Sequence, residues 1–348
     1  FVIENELGPS TINLKVFFWV HTVDYRVSSR VLRGEVIKKV IEALIEAKFI
    51  LPGNITEIKL YGGQEDLPLK LKKDPKDRIL DLEESDDEVK DKLKKVRKKL
   101  GKLQDTLYAH GKYSVLVCLQ GMDTSGKDSL IREVFKDFNA RGVEVMSFKV
   151  PTSLELKHDY LWRHYIALPA RGKFGVHNRT HYENVLVTRV HPNYILGENL
   201  PDINTVEDVN EAFWDKRFEQ INNFEKHLVE NGTIIFKFFM NLSKKEQKNR
   251  LLRRLDLKEK NWKFSAGDLK ERKLWDDYMF CYQDAINRTS KAHAPWFNIP
   301  ADNKPSARLA VATILYETLN KYDNIKEPEL DAKTKANIDL YRQQLNNE

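Results

Sequence analysis

The sequence predicts an α/β chain in which strands and helices alternate into a doubly wound parallel sheet, preceded by a small β-α-β unit. Three observations carry this. Short apolar runs such as YSVLVCLQ (113–120) and TIIFKFFM (233–240) are nearly unbroken, as strands buried on both faces must be. Segments of helical period lie between them. A glycine-containing loop with phosphate-loop spacing joins the first of these strands to a helix.

The elements follow in order. In TINLKVFFWV (11–20), Ile12, Leu14, Val16, Phe18 and Val20 alternate onto one face of a strand. Residues 28–49 switch to helical spacing, with Val36, Val40 and Leu44 beside Ile37, Ile41 and Ile45. Pro52 and Gly53 end that helix. ITEIKLY (55–61) is a second strand, so residues 1–62 form a unit complete in itself. Gly, Pro and dense charge mark residues 63–85 as a linker. A helix then opens on Ser85 with Glu88 as a capping box. Its apolar stripe is Val89, Leu93, Val96, Leu100, Leu103 and Leu107. Lys94, Lys95, Arg97, Lys98 and Lys99 occupy the rest, read as a solvated basic face rather than a polyanion surface. Beyond the strand at 113–120 come a helix over 127–138, a strand over 143–150 and a long helix over 206–232 with Gly232 as its cap. The strand at 233–240, a helix opened by Ser243, a strand over 296–302 and a helix over 305–321 complete a domain spanning 86–330. Residues 331–348 form a tail.

With 348 residues, 41% of them hydrophobic and 32% charged, the chain can bury a large core under a highly charged surface. The net charge of +6 suits an acidic substrate but does not by itself indicate nucleic acid. Cys118 and Cys281 have no metal-ligand neighbours and read as buried thiols of a reducing, cytoplasmic setting. No run is long enough to span a bilayer. A chain that starts at Phe1 is expected to be a piece of something longer.

The loop QGMDTSGKDS (120–129) raises a question of charge. Gly121, Gly126 and Lys127 have the spacing of a phosphate cradle, and Thr124, Ser125 and Ser129 can contact phosphate beside them. Backbone N–H groups and the helix N-terminus supply positive potential, and Lys127 adds a full charge. Yet Asp123 and Asp128 bring negative charge. A carboxylate about 4 Å from a phosphate charge is repelled by roughly 4 kcal/mol at an effective dielectric of 20. A Mg²⁺ between them reverses the sign, since this cation favours one or two carboxylates with phosphate oxygens and water. Asp123, in the bend, is the better anchor. Asp128 is read two ways, as a phosphate-side group or as a first-turn acid favoured by the helix dipole.

Basic stretches follow. Lys149, Lys157 and Arg163 precede ARGKFGVHNRTHYENVLVTRVHP (170–192), which holds Arg171, Lys173, Arg179 and Arg189. His177, His181 and His191 lack a clean metal spacing and read as polar or packing residues. Arg250, Arg253, Arg254 and Arg272 come later, in a Lys- and Arg-rich segment over 243–278 with the composition of a lid. Three basic stretches beyond a phosphate loop imply more phosphates than one nucleotide carries, and the planar fork of Arg suits them.

From about residue 86 to 325 these segments resemble the polyphosphate kinase 2 family. The match runs in order through LQGMDTSGKDS, SFKVPTSLELKHDYLWRHYIALPA, HNRTHYENVLVTRVHP, FWDKRFEQINNFEKHLVENGT, KFFMNLSKKEQKNR, NWKFSAGDLKER and APWFNIPADNK. The resemblance implies a P-loop kinase fold with a helical lid. It also implies Mg²⁺-dependent phosphoryl transfer between inorganic polyphosphate and AMP or ADP, with ATP among the nucleotides. It puts catalysis on Asp123, which holds the metal, Lys127 and Arg179. Lys149, Arg163, Asn178, Glu183, Arg189, Arg250, Arg253 and Arg254 are the further candidate phosphate or nucleotide contacts. Many members carry Asp-Arg-Ser where this chain has Asn178-Arg179-Thr180. An Asn-Arg-Ser form, with Glu183 downstream, fits the subgroup acting on both AMP and ADP.

Residues 10–62 resemble instead the carboxy-terminal α/β domain of small-conductance mechanosensitive channels. That implies the soluble tail of a membrane channel fused to a kinase, at the cytoplasmic face of the inner membrane. A homo-oligomer is expected from both resemblances, and no nucleic-acid partner. Two other readings stay open: an ATP-dependent nucleotide kinase, and a nucleotide or polyphosphate sensor that regulates a channel.

Overall fold

A computed structural model describes residues 2–7, 12–17 and 86–348. The chain divides into two units, residues 1–58 and 59–348. In the first, β1 (Val2–Leu7) pairs antiparallel with β2 (Ile12–Phe17), in register from Val2 opposite Phe17 to Leu7 opposite Ile12. β2 lies within the strand expected over 11–20. The expected helix over 28–49, the strand over 55–61, the linker and the Ser85 cap lie outside the described residues.

The second unit begins with α1 (Asp86–His110) and β3 (Ser114–Gln120). Then follow α2 (Lys127–Val134), β4 (Val143–Ser147), the single turn α3 (Trp162–Tyr165), β5 (Phe174–Asn178) and α4 (Glu183–Val190). Next are α5 (Glu211–Glu230), β6 (Thr233–Asn241), α6 (Lys244–Asp256), α7 (Ala266–Lys273) and α8 (Trp275–Thr289). β7 (Trp296–Pro300), α9 (Lys304–Leu319), α10 (Ala332–Ala336) and α11 (Ile338–Asn346) close the chain. The five strands form one parallel sheet in the order β4-β5-β3-β6-β7.

Burial explains the sequence pattern. Every residue of β3 is buried, because helices cover both faces of the central strand. Val115, Val117 and Leu119 point into a cluster with Leu100 and Leu107 of α1 and Val311 and Leu315 of α9. Leu116 and Cys118 point the other way, against Phe224 and Leu228 of α5. The stripe of α1 lies in the core as its spacing requires. Lys94, Lys95, Lys98 and Lys99 are exposed on its other face, while Arg97 pairs with Asp137 at 3.0 Å. Cys118 and Cys281 are free and buried; burial raises both thiol pKa values, that of Cys281 to about 11.

Several bounds differ from those read in the sequence. α2 stops at Val134, because Phe135 and Phe138 turn into the core, where their rings meet edge to face and Phe138 does the same with Phe174. α5 starts at Glu211, capped by Asn210, whose side chain accepts from Phe213 N. β5 and α8 have no counterpart in the sequence reading, and the segment read as a lid resolves into α6, α7 and the start of α8.

A buried polar network backs β5 and β6. Lys237, fully buried on β6, donates to Glu225 Oε2 at 2.6 Å, Tyr182 Oη at 2.9 Å and the Thr289 carbonyl at 2.8 Å. Glu225 also accepts from Tyr182 at 2.8 Å and lies 3.1 Å from His181 Nε2. Burial raises the Glu225 carboxyl pKa, but the Lys237 charge and the His181 contact outweigh it and hold the group ionised. The histidines of this region are packing residues, as read. Burial pushes His177 down to about 4, against the hydrogen bond from its Nε2 side to the Ala167 carbonyl. His164 falls well below its ordinary value through burial and its histidine neighbours.

These shifts set an acid response. The unfolded chain takes up protons on these rings near pH ~6.5, and the folded chain only at lower pH. Their stabilising contribution is therefore complete above pH ~6.5 and lost as pH falls towards about 4. His177 alone accounts for about 3 kcal/mol across that window. Urea midpoints measured at pH 7, 6, 5 and 4.5 should fall steadily. A flat profile down to pH 4.5 would mean that the rings protonate in place.

Candidate active site

The loop between β3 and α2 is held in a conformation only its residue types allow. Gly121 has φ +149° and lies so close to the Met240 carbonyl that a Cβ would come within 2.8 Å of it. Gly126, at φ +101°, precedes α2 in a left-handed turn that a side chain would strain. Thr124 is left-handed at φ 67°, a conformation costly for a branched residue and found where function constrains the chain. Lys127 Nζ donates to the Gly121 carbonyl at 2.5 Å and sits 3.4 Å from both the Met122 carbonyl and Ser125 Oγ. Burial and the Arg179 charge lower its pKa, while Asp123 and Glu183 oppose them.

Arg179 follows β5, also left-handed at φ 60°. Its N–H donates to the Leu119 carbonyl at 3.1 Å, so the end of β5 is tied to the end of β3. Its guanidinium donates to Asp123 Oδ1 at 3.0 Å and lies 3.6 Å from Glu183. Asn178 donates to Asp128 Oδ1 at 2.6 Å. An acid at 178 would set two carboxylates against each other; the amide turns that contact into a hydrogen bond.

Two cavities meet at Arg179. One, of about 360 Å³, holds the loop from Asp123 to Ser129 together with Asn178, Arg253 and Arg254. The other, of about 420 Å³, has Phe148, Pro151 and Val187 among its apolar walls, with Lys149, Arg163 and Glu183 at its polar positions. Arg163 is buried, donates to the Lys149 carbonyl at 2.7 Å and faces the Phe148 ring. A largely apolar chamber beside a cationic one accommodates a molecule with an aromatic end and a polyanionic end.

One predicted residue, Arg189, falls elsewhere, and another, Arg250, lines the loop cavity with its guanidinium committed to protein groups. Arg189 points away from the loop, paired with Asp284 at 2.5 Å and enclosed by Trp214, Phe218 and Phe280. Arg250 lines the loop cavity beside Arg253 but grips the loop itself. Its Nη1 donates to the Thr124 and Ser125 carbonyls, its Nη2 to the Ala301 and Asp302 carbonyls, and its Nε to Glu246. Arg254 pairs with Asp268 at 2.9 Å, and Arg253 is exposed at the cavity.

Sequence reasoning missed Arg132, Lys260, Lys263 and Lys304, which line the loop cavity. Arg132 lies one helical turn beyond Asp128, a spacing that could have placed it. Lys304 comes from the far end of the chain, and nothing local signals it.

A parallel sheet carrying a phosphate loop at the end of its central strand, with a cation-rich cavity above it, defines a P-loop kinase-like protein. This chain belongs to the polyphosphate kinase 2 family, whose profile matches residues 83–327. It is 46% identical over 247 residues to an ADP-polyphosphate phosphotransferase of Rhodopseudomonas palustris, covering 71% of this chain and 84% of that one. It is 44% identical over 262 residues to an AMP/ADP-polyphosphate phosphotransferase of Meiothermus ruber, covering 75% and 92%. Among solved structures, polyphosphate kinase 2 from Arthrobacter aurescens superposes with a TM-score of 0.68 at 38% identity, over 75% of this chain and 88% of that one.

Proposed function

We propose that this chain transfers phosphoryl groups between inorganic polyphosphate and the phosphates of AMP and ADP, with Mg²⁺. The observation that carries the reading is the pair of cavities joined at Arg179, one cationic enough for a polyphosphate and one shaped for a nucleoside. The names of the relatives support the same substrates. In the transfer, the bond from the terminal phosphorus of polyphosphate to its bridging oxygen breaks. A bond from that phosphorus to an oxygen of the nucleotide phosphate forms.

The residues at the loop fit a magnesium ion held jointly with phosphates. Asp123 and Asp128 each engage one carboxylate oxygen, leaving Oδ2 of each without a partner among the described residues. No group of three or more His, Cys, Asp or Glu that could hold a metal gathers among the described residues, so phosphate oxygens and water would complete the shell. The bound ion would neutralise charge on the transferring group. Asp123 would hold it, Lys127 and the loop amides would bind phosphate oxygens, and Arg179 would stand between donor and acceptor. Arg163 and Glu183 would orient the nucleotide in the neighbouring chamber.

The test is turnover with AMP or ADP, polyphosphate and Mg²⁺, with no ATP present. Nucleotide phosphorylation is expected. Activity only when ATP is supplied would favour an ATP-dependent nucleotide kinase, and binding without turnover would favour a sensor. A separate proposal, resting on sequence resemblance alone, is that residues 1–62 form a channel-like domain, which would place the chain at the cytoplasmic face of a membrane; the division of the chain at residue 58 bounds such a unit without identifying it. The same assay on residues 63–348 should retain activity. Loss of most turnover there would make the two units one.

A further inference from the structure

We propose that Gln247 and Arg272 are positioning residues that tie the Asp123 peptide to helix α7, so that the placement of α7 sets how well the loop holds its cation. The proposal rests on the reading of Asp123 as the cation anchor.

Gln247 is almost fully buried, at 1% exposure, so its amide depends on protein partners. Its Nε2 donates to the Asp123 carbonyl at 3.1 Å. Its Oε1 accepts from Arg272 Nη1 at 2.7 Å, and the same Nη1 donates to the Lys244 carbonyl at 2.8 Å. The amide thus has one arm on the loop and one on α7, and Arg272 fixes which way round it sits. An amide turned end for end would set an oxygen against the Asp123 carbonyl.

α7 is itself held from several sides by neighbouring residues. Asp268 accepts from Arg254 of α6 at 2.9 Å. Glu271 accepts from Tyr278 Oη of α8 at 2.6 Å and lies 2.9 Å from His191 Nε2. Asp268 is also near the loop: burial raises its carboxyl pKa, and the charge of Asp123 adds to the rise. Moving α7 would therefore pull on the Gln247 amide, and through it on the peptide that aims the Asp123 side chain. Asp123 has little else to fix it on that side, since its carboxylate is about a third exposed and its side chain pairs with Arg179.

Two variants separate the arms. Gln247→Glu keeps an acceptor for Arg272 but loses the donor to Asp123. Arg272→Met keeps the donor but leaves the amide unoriented, at a half-buried position that tolerates an apolar stem. Cation binding is read directly as the change in water-proton relaxation of Mn²⁺ with tripolyphosphate, and the Mg²⁺ needed for half-maximal turnover is measured alongside. Gln247→Glu should weaken Mn²⁺ binding by about 10-fold and Arg272→Met by about 3-fold, following the spread seen for groups that orient metal ligands. The double variant should match Gln247→Glu, because the two act in series. Tripolyphosphate binding in EDTA should stay close to wild type, while Arg272→Met melts somewhat lower but folds, because the buried Gln247 Oε1 loses its donor.

Mn²⁺ affinities within twofold of wild type in both variants would overturn the proposal, as would additive effects in the double variant. Should Gln247→Glu not fold, Arg272→Met decides alone. A wild-type protein that binds Mn²⁺ at the loop but transfers nothing from polyphosphate would instead overturn the functional reading.

Discussion

Asp123→Asn is expected to lower turnover by ~100-fold or more while leaving the ligand-free fold in place. The substitution keeps the shape of the side chain and removes its charge. On the proposed reading, displacing the cation would remove several kcal/mol of transition-state stabilisation, and each ~1.4 kcal/mol is a factor of ten in rate. The fold depends far less on this carboxylate. Its ion pair with Arg179 has side chains 32% and 43% exposed, so solvent screening leaves it worth less than about 1 kcal/mol. Rate and stability should therefore separate cleanly, in single-turnover kinetics against thermal melts. Lys127→Met should also be slow, yet bind Mn²⁺ nearly as wild type does, because on the proposed reading its ammonium would meet phosphate oxygens rather than metal. Normal turnover of Asp123→Asn at limiting Mg²⁺ would move the anchor to Asp128, which lines the same cavity.

The carboxylates in a phosphate cradle were legible as a problem from the sequence alone, and the structure adds what each of them touches. Asp128 meets Asn178, so the departure of this chain from Asp-Arg-Ser has a local partner that no spacing could reveal. The central strands were legible because burial on both faces forces an unbroken apolar run, as in β3 and β6. β5 was not, because its five residues include Gly175 and His177. Each has a packing reason. A Cβ at 175 would meet the Pro169 ring at 2.8 Å, and His177 satisfies the Ala167 carbonyl inside the core. α8 carried a readable stripe in Trp275, Tyr278, Tyr282 and Ile286. Its first four residues fall at the end of the segment read as a lid, behind a run of Lys and Arg, and the rest lies in no element read from the sequence. The arginines were the hardest to assign. Their type says that they grip oxygens but not whose, so Arg189 meets a carboxylate and aromatic rings while Arg253 stands open at the cavity.

Arg250 makes that distinction testable. A phosphate-gripping arginine and a loop-supporting one both abolish activity when removed, but they fail differently. All five donor directions of Arg250 are occupied by protein: two carbonyls of the phosphate loop, two carbonyls at 301 and 302, and the Glu246 carboxylate. Arg250→Met fills the stem volume but leaves four carbonyls without their donor in a site only 7% exposed. Unmet buried acceptors cost roughly 1–3 kcal/mol each where water cannot reach them. Partial access for water at the loop brings the expected loss of stability to roughly 3–5 kcal/mol. The Thr124–Gly126 peptides, strained at Thr124, would relax and misdirect the amides, so kcat should fall ~100-fold even well below the melting temperature. Arg250→Lys should recover little, since one ammonium cannot span the loop and the 301–302 turn together. Arg253→Ala provides the contrast, with an unchanged melting temperature and a raised KM for polyphosphate. If Arg250→Met instead melts like wild type and raises only that KM, its guanidinium leaves the carbonyls for the substrate, and it belongs with Arg253.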